Sequence, residues 1–203
     1  MLFLLAFHRH GDNVERMKHS SLSGIVAATV ASLLLPCAAM AQQDVSGSGD
    51  YRALPRADGG TIRAYRELSN AEISIPTGSV STRRDEEENT VQLQGQITHW
   101  DYIVRPNRSS ADLDRHYEGL LRDGGFETVF VCAGTARCGN RMPVLILNDG
   151  KVAPVGFADG LFNDHIRVRV ARKGATWVLL HMIQGPDRAL VYQAVIEGAR
   201  ELE

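Results

Sequence analysis

The sequence lacks a long hydrophobic run, an excess of charge of one sign and a rich supply of cysteine. Its 203 residues include 22 lysines and arginines, 24 aspartates and glutamates, three cysteines and 6% aromatic residues. The near balance of charge argues against a dedicated nucleic-acid binder, which is normally clearly basic. With 44% hydrophobic and 23% charged residues, the composition is that of a globular protein.

Standard enzyme motifs are also missing. The chain has no phosphate-binding glycine loop, no Cys-x-x-Cys-His haem site, no His-Glu-x-x-His pair and no Gly-x-Ser-x-Gly elbow. No two of the histidines beyond residue 41 lie within five residues of each other, which excludes a local metal pair; they are His99, His116, His165 and His181. The sequence therefore assigns no catalytic residue, no cofactor and no metal ligand.

The one strongly apolar segment, residues 24–35, is shorter than the ~20 residues that a membrane-spanning helix needs. A lysine precedes this segment, and the small-x-small sequence Ala-Met-Ala ends at Ala41. This arrangement is typical of a secretory signal peptide. Residues 17–41 are therefore predicted to be cleaved on export, which leaves no transmembrane segment in the mature chain.

Residues 1–16 are acidic in part and do not belong to such a signal, so we interpret them as an upstream extension before the true start of translation. Lipid attachment at Cys37 is the alternative to simple cleavage. Pro36 disfavours this alternative, because lipid-attachment sequences have a small residue at that position.

Export leaves two cysteines, Cys132 and Cys138, in an oxidising compartment. Five residues separate them, so they can close a small disulfide loop. The alternative is a reactive redox pair, but such pairs are usually Cys-x-x-Cys at the start of a helix. The spacing therefore favours a structural bridge.

The mature chain divides into an arm and one domain. Residues 42–60 are rich in Gly, Ser, Asp and Pro and predict an extended arm with little structure of its own. Residues 61–203 are predicted to form a single domain. Its first two alternating segments, residues 62–68 and 71–75, indicate strands joined by a hairpin or a bend at Ser69-Asn70.

The charged residues 83–88 have no calcium-loop spacing and predict a solvated loop. In the strand predicted at residues 90–105, the hydrophobic positions change from odd to even numbers partway along. Because side chains alternate strictly along a strand, this change predicts a β-bulge near Thr98-His99 or a kink at Gly95.

A helix is predicted over Ser110–Asp123, with a serine cap before it and Gly124-Gly125 as its stop. Residues 126–132 predict the next strand, residues 142–147 a further one, and residues 148–164 an irregular loop. The order strand, helix, strand predicts an α+β fold, in which one main helix packs on an antiparallel sheet beside a small disulfide loop.

Hydrophobic and polar residues alternate over residues 166–170, which predicts a strand with one solvent-exposed face. A turn at Lys173-Gly174 leads into a second predicted strand, residues 177–183, which is covered on both faces. Residues 188–203 fit a helix or a strand equally. The predicted core consists of Leu93, Ile97, Trp100, Leu113, Tyr117, Leu120, Phe126, Phe130, Val168, Val170, Trp177 and Leu179.

Arg167, Arg169 and Arg172 are the only concentration of cations on a predicted strand and turn, and they are weak candidates for anion binding. Guanidinium groups suit phosphate and carboxylate groups, which are abundant on lipopolysaccharide and peptidoglycan. The alternative is that these are ordinary outward side chains of a half-exposed strand.

Three segments together carry a resemblance. They are residues 93–102, residues 117–127, and the pair Val131-Cys132 with Cys138-Gly139. In these segments the chain resembles the domain of unknown function 4892 family, over residues 44–197. The resemblance implies an exported envelope component of a Gram-negative bacterium, from a family whose members often place this domain ahead of an OmpA-like domain. It also implies paired cysteines and a strand at residues 189–197, but no catalytic residue.

These observations predict an exported periplasmic protein, peripheral to the outer membrane, that acts as a noncatalytic binding or accessory module. Its expected partner is an outer-membrane or periplasmic envelope component rather than a nucleic acid. The alternative is an envelope enzyme, either a hydrolase built from separated His and Asp residues or a thiol redox protein.

Overall fold

The computed structural model describes residues 43–157 and 163–202. The predicted upstream extension and signal peptide lie outside these residues. In chain order the elements are β1 (Gly60–Pro76), α1 (Arg83–Glu88), β2 (Thr90–Val104), α2 (Ser110–Asp123), β3 (Glu127–Ala133), α3 (Thr135–Cys138), α4 (Met142–Leu147), β4 (Ile166–Lys173), β5 (Thr176–Gln184) and β6 (Ala189–Glu201).

The strands form one six-stranded sheet in the order β1-β2-β6-β5-β4-β3, and every neighbouring pair is antiparallel. The expected α+β class is wrong. About 19% of the described residues are helical, and only α2 among the described helices has more than six residues. The fold is mostly antiparallel β because β1, β2 and β6, with 17, 15 and 13 residues, take up the chain length that a helical layer would need.

The first predicted strand pair is a single strand. β1 runs without a hairpin through Ser69-Asn70 and pairs with β2 along its whole length. A register shift between Leu68 and Ala71 and the positive φ of 52° at Asn70 mark a bulge there. The turn-forming residues are therefore absorbed by bending the strand, because β2 continues opposite them.

The predicted bulge at Thr98-His99 does not exist, because β2 keeps an unbroken register with both neighbours at these residues. Odd-numbered residues of β2 face one core and even-numbered residues face the other. The change of the hydrophobic positions from odd to even numbers therefore reflects burial of both faces of the strand. The irregularity lies at the alternative position, Gly95, where a Cβ atom would lie 2.8 Å from the carbonyl oxygen of Glu197.

The main helix is confirmed as α2, Ser110–Asp123. The Ser109 hydroxyl accepts a hydrogen bond from the backbone N–H of Asp112 and caps its start. Its end is followed by Gly125 with a φ of 74°, a conformation that favours glycine. Leu113, Tyr117 and Leu121 are buried on one side of α2 against the sheet.

Two expectations about short segments are wrong. The predicted solvated loop at residues 83–88 is the helix α1, because Thr82 and Asp85 form a reciprocal capping box. The predicted strand at residues 142–147 is the helix α4, whose first turn holds Pro143. A short apolar segment does not distinguish a strand from a buried helical turn by periodicity.

The C-terminal half of the sheet follows the prediction in most respects. β4 and β5 form the expected hairpin, β5 is buried on both faces, and the ambiguous C-terminal segment is the strand β6. The prediction that one face of β4 is solvent-exposed is wrong, because α2 packs over this face and Arg169 is only 5% exposed.

The sheet separates two hydrophobic cores. The first face is the side covered by α3, α4 and residues 148–157, and the second face is the side covered by α2 and residues 43–59. Nine of the twelve predicted core residues are buried; the exceptions, Leu120, Phe126 and Phe130, are partly buried at the rim. No described helix is long and apolar enough to cross a membrane.

The predicted arm has no regular helix, yet it lies on the domain. Leu54 and Ala57 are fully buried in the second core, and the indole N–H of Trp100 donates to the carbonyl oxygen of Gly49 at 2.8 Å. Arg56 joins Asp44 and Asp50 of the same segment at 2.5 and 2.9 Å. Tertiary contacts therefore order a segment whose composition is typical of a linker.

Candidate functional site

Two of the four histidines lie on the first face of the sheet. His99 on β2 and His181 on β5 flank Tyr192 on β6, and Asp101 is the register partner of Tyr192 on β2. His99 Nδ1 hydrogen-bonds to the Tyr192 hydroxyl at 2.8 Å, and this hydroxyl donates to the carbonyl oxygen of Val152 at 3.2 Å. The sheet thus places His181 and Tyr192 near His99 and Asp101 of β2, from which they are distant in sequence.

This group does not have the accessibility of an active site. His99 and His181 are 2% exposed and Asp101 is 1% exposed, so a substrate does not reach them in this conformation. Burial lowers the pKa of both histidines from 6.5 to about 4, which keeps the imidazoles neutral. The other two, His116 on α2 and the exposed His165, lie on different elements, and the described residues hold no group of three or more side chains suited to a metal ion.

The predicted anion-binding arginines are not brought together as an open site. Arg169 Nε donates to Asp114 Oδ1 at 2.7 Å beneath α2, and Arg167 Nη1 lies 3.4 Å from Asp114 Oδ2. Arg172 lies over the ring of Trp177, 5.7 Å from its centroid, beside a hollow of about 390 Å³ that Lys173 also lines. Arg169 therefore holds a helix in place instead of facing a ligand.

The disulfide between Cys132 and Cys138 is confirmed. Cys132 is 5% exposed and Cys138 is fully buried, whereas reactive cysteines sit in partly exposed sites. The bridge joins β3 to the end of α3, next to the segment that leads into α4. Its burial agrees with a structural role.

A cleft of about 770 Å³, called the polar cleft below, lies where α1, α4 and the loop after α4 meet strands β1 and β2. Its lining contains three cations, three carboxylates, three other polar residues and one aliphatic residue: Arg83, Arg141, Lys151, Glu86, Glu87, Asp149, Ser74, Thr90, Gln92 and Val144. A cleft of this volume accommodates a small organic ligand.

Glu86 is the central charged group of the polar cleft. Its Oε1 lies 2.5 Å from Lys151 Nζ, and its Oε2 accepts from Arg141 Nη2 at 3.0 Å. Although Glu86 lies on a charged helix, it is only 8% exposed. The hydrogen bond from Lys151 holds the pKa of Glu86 below its ordinary value of 4.5; burial opposes this effect and Arg141 adds to it.

Local backbone chemistry positions these side chains. Asp85 Oδ2 accepts from the backbone N–H groups of Ser81 and Thr82, which fixes the start of α1 and the direction of Glu86 one residue later. Thr90 Oγ1 donates to the carbonyl oxygen of Glu86 at 2.7 Å and ties α1 to β2. The six-residue helix is thus held at both ends.

The disulfide loop positions Arg141 through Val80. The N–H of Val80 donates to the carbonyl oxygen of Cys138 at 2.8 Å, and the N–H of Arg141 donates to the carbonyl oxygen of Val80 at 3.0 Å. A Cβ atom at Gly139, whose φ is 88°, would lie 2.1 Å from that oxygen. Only glycine permits this approach, so the bridged loop is part of the frame of the polar cleft.

Replacing both Cys132 and Cys138 with serine is expected to lower the free energy of unfolding by about 2 kcal/mol, because the bridge closes a loop with a sequence separation of 6. Urea unfolding at pH 7 measures this loss. Wild-type protein unfolded with a reductant present is the matched control and should lose the same amount. A loss below about 0.5 kcal/mol for both samples would contradict the stabilising role.

The residues of the polar cleft were not identified from the sequence. The one available signal was the sequence Thr82-x-x-Asp85, which is a capping box in front of the charged residues 83–88. It indicates a helix and therefore predicts that the charges divide between an inner and an outer side. Nothing local indicates that Arg141 and Lys151, 55 and 65 residues away, meet Glu86.

No family model matches this chain, and no curated protein matches it.

Proposed function

We propose that this protein is an exported, noncatalytic binding module of the Gram-negative cell envelope, and that the polar cleft is its ligand site. The proposal includes a signal peptide at residues 17–41, a periplasmic location peripheral to the outer membrane, and membership of the domain of unknown function 4892 family. The export signal read from the sequence and the buried disulfide support the location.

The polar cleft carries the proposal. It places charged groups of both signs within one cavity of about 770 Å³, and its central carboxylate is fixed by two cations. Such a fixed arrangement presents hydrogen-bonding groups in defined directions, which is the requirement for recognising a polar ligand. The enzyme alternative has less support, because His99, His181 and the two bridged cysteines are at most 5% exposed.

The test is co-sedimentation with peptidoglycan sacculi and, separately, with outer-membrane vesicles at low and moderate salt. The full chain, including the predicted signal peptide, is expressed in a Gram-negative host, and the protein that accumulates there is purified. We expect the protein to sediment with at least one of the two, and less of it at moderate salt, because exposed charge pairs are screened. The double variant Arg83→Gln/Asp149→Asn should sediment at least about threefold less, since each exposed charge contributes up to about 1 kcal/mol.

The matched control removes a pair of opposite charges elsewhere. Arg122 and Asp123 form an ion pair at the exposed end of α2, with side chains 75% and 72% exposed. The variant Arg122→Gln/Asp123→Asn should bind like the wild type. Absence of sedimentation with both preparations would refute envelope association, and equal binding of both double variants would refute the polar cleft as the site.

A further inference from the structure

The charged groups of the polar cleft that lie outside the Glu86–Arg141–Lys151 ion-pair network, which itself has one excess positive charge, determine which ligand fits. Glu86 is already bonded to Arg141 and Lys151. Among the described residues, Arg83, Glu87 and Asp149 line the cleft and make no ion pair or side-chain hydrogen bond. Arg83, Glu87 and Asp149 are all exposed, so a ligand reaches them without displacing an internal contact.

These unpaired groups have opposite signs. A purely anionic ligand would pair with Arg83 but bring its charge close to Glu87 and Asp149, and a purely cationic ligand would meet the reverse difficulty. A ligand with one group of each sign pairs with both. The lining residues include no aromatic side chain, so the cleft offers hydrogen bonds and charges in place of a stacking surface.

We propose that the polar cleft binds a short peptide that carries both a free amino group and a free carboxylate. In this arrangement Arg83 pairs with the carboxylate, and Glu87 and Asp149 pair with the ammonium group. The side chain of Gln92 is exposed, is held by a hydrogen bond from Ser74 Oγ to Gln92 Oε1 at 3.0 Å, and offers its remaining hydrogen-bonding capacity to the peptide backbone. The inference rests on the proposed function and adds the ligand class to it.

Trialanine is the probe, together with its N-acetylated and C-amidated forms, because each modification removes one terminal charge and leaves the rest of the peptide unchanged. Binding to the purified full chain is followed by chemical-shift changes at pH 7. We expect trialanine to bind about three- to fivefold more tightly than either modified form, since partly exposed charge pairs contribute up to about 1 kcal/mol each.

Variants assign each terminal group to its partner. In Arg83→Gln the advantage of trialanine over the C-amidated form should disappear, while its advantage over the N-acetylated form remains. In Glu87→Gln/Asp149→Asn the opposite should hold. Arg122→Gln/Asp123→Asn is again the control and should retain both differences.

Four outcomes overturn the proposal. Equal affinity for all three peptides, or absence of binding at about 100-fold molar excess, excludes a zwitterionic peptide. Tighter binding of the acetylated form indicates an anionic ligand, and tighter binding of the amidated form indicates a cationic one. If Arg83→Gln/Asp149→Asn still weakens co-sedimentation in any of these cases, the proposed function stands and only the ligand class fails.

A free peptide carries both charges at its ends, whereas a peptide anchored in peptidoglycan through its amino end needs a side-chain amino group to supply the positive charge. Competition distinguishes the two sources: trialanine that releases the protein from sacculi supports an anchored peptide as the ligand. Trialanine that binds the protein while sedimentation with sacculi is absent supports a free peptide.

Discussion

Replacing Asp114 with alanine is expected to lower the free energy of unfolding by about 3–5 kcal/mol, the cost of removing one partner from a buried ion pair. Asp114 is 5% exposed on α2, and Arg169 opposite it on β4 is equally buried. Asp114 Oδ1 accepts from Arg169 Nε at 2.7 Å. Without Asp114, the guanidinium keeps Glu118 as its one ion-pair partner among the described residues, and the carboxylate of Glu118 lies 3.4 Å away and is 54% exposed.

Two further variants show that the loss comes from an uncompensated charge. Glu118→Ala removes the exposed partner of Arg169 and should cost less than about 1 kcal/mol. Asp114→Leu combined with Arg169→Met removes both charges and should recover most of the loss, because buried ion pairs are often replaceable by apolar residues. Urea unfolding at pH 7 measures all three.

The conservative change Asp114→Asn covers the case in which the alanine variant does not fold. The asparagine keeps an acceptor for Arg169 and should cost less than alanine does. A loss below about 1 kcal/mol for Asp114→Ala would mean that α2 packs on the sheet without this ion pair.

Lowering the pH from 7 to 5 is expected to reduce the free energy of unfolding by about 4 kcal/mol through His99 and His181 together. Each has a pKa of about 4 in the folded state, because burial disfavours the charged imidazole, against about 6.5 in the unfolded chain. Between these values the unfolded state binds more protons than the folded state. Stability is therefore complete above about pH 6.5 and is lost as the pH falls towards 4, by about 2 kcal/mol per histidine at pH 5.

The charged and titratable groups around these histidines come from three strands. Arg66 on β1 adds to the lowering of the pKa of His99, and Tyr192 on β6 lies between the two rings. Asp101 on β2 is engaged by Arg63 Nε at 3.0 Å. The carboxylate of Asp101 is therefore already bonded to a cation, which limits how far it can stabilise a protonated histidine.

Urea midpoints at pH 7, 6, 5.5 and 5 test this prediction. In His181→Met the pH-dependent loss should fall to about half of the wild-type value, since one titrating group remains. His165→Gln, a change at an exposed histidine, should leave the dependence unchanged. An unaltered slope in His181→Met would show that acid instability has another source.

Local sequence chemistry was sufficient to predict some elements. The serine cap and the two glycines define α2, the turn at Lys173-Gly174 defines the β4–β5 hairpin, and the short cysteine spacing predicts the disulfide. In each case the determining contacts lie within a few residues along the chain. Such contacts are formed by neighbouring backbone groups and do not depend on the rest of the fold.

The faces of the sheet were less predictable. Alternating arginines on β4 predicted a wet surface, but α2 covers that face and supplies the carboxylate of Asp114 to Arg169. The change of parity along β2 predicted a bulge at Thr98-His99, although the strand is regular there and both its sides are buried. A strand's own pattern does not show what packs on each side of it.

The sequence by itself determined the bridged cysteines, the main helix, the hairpin that contains β5 and the absence of standard catalytic motifs. Only the tertiary structure decided that Glu86 turns inward, that Arg141 and Lys151 meet it, and that the remaining charges line one cleft. The physical reason is the separation along the chain between the residues whose contacts determine each feature. Caps, turns and short loops are settled by neighbours in the chain, whereas the polar cleft joins side chains more than 50 residues apart whose encounter depends on how the helices and loops pack on the sheet.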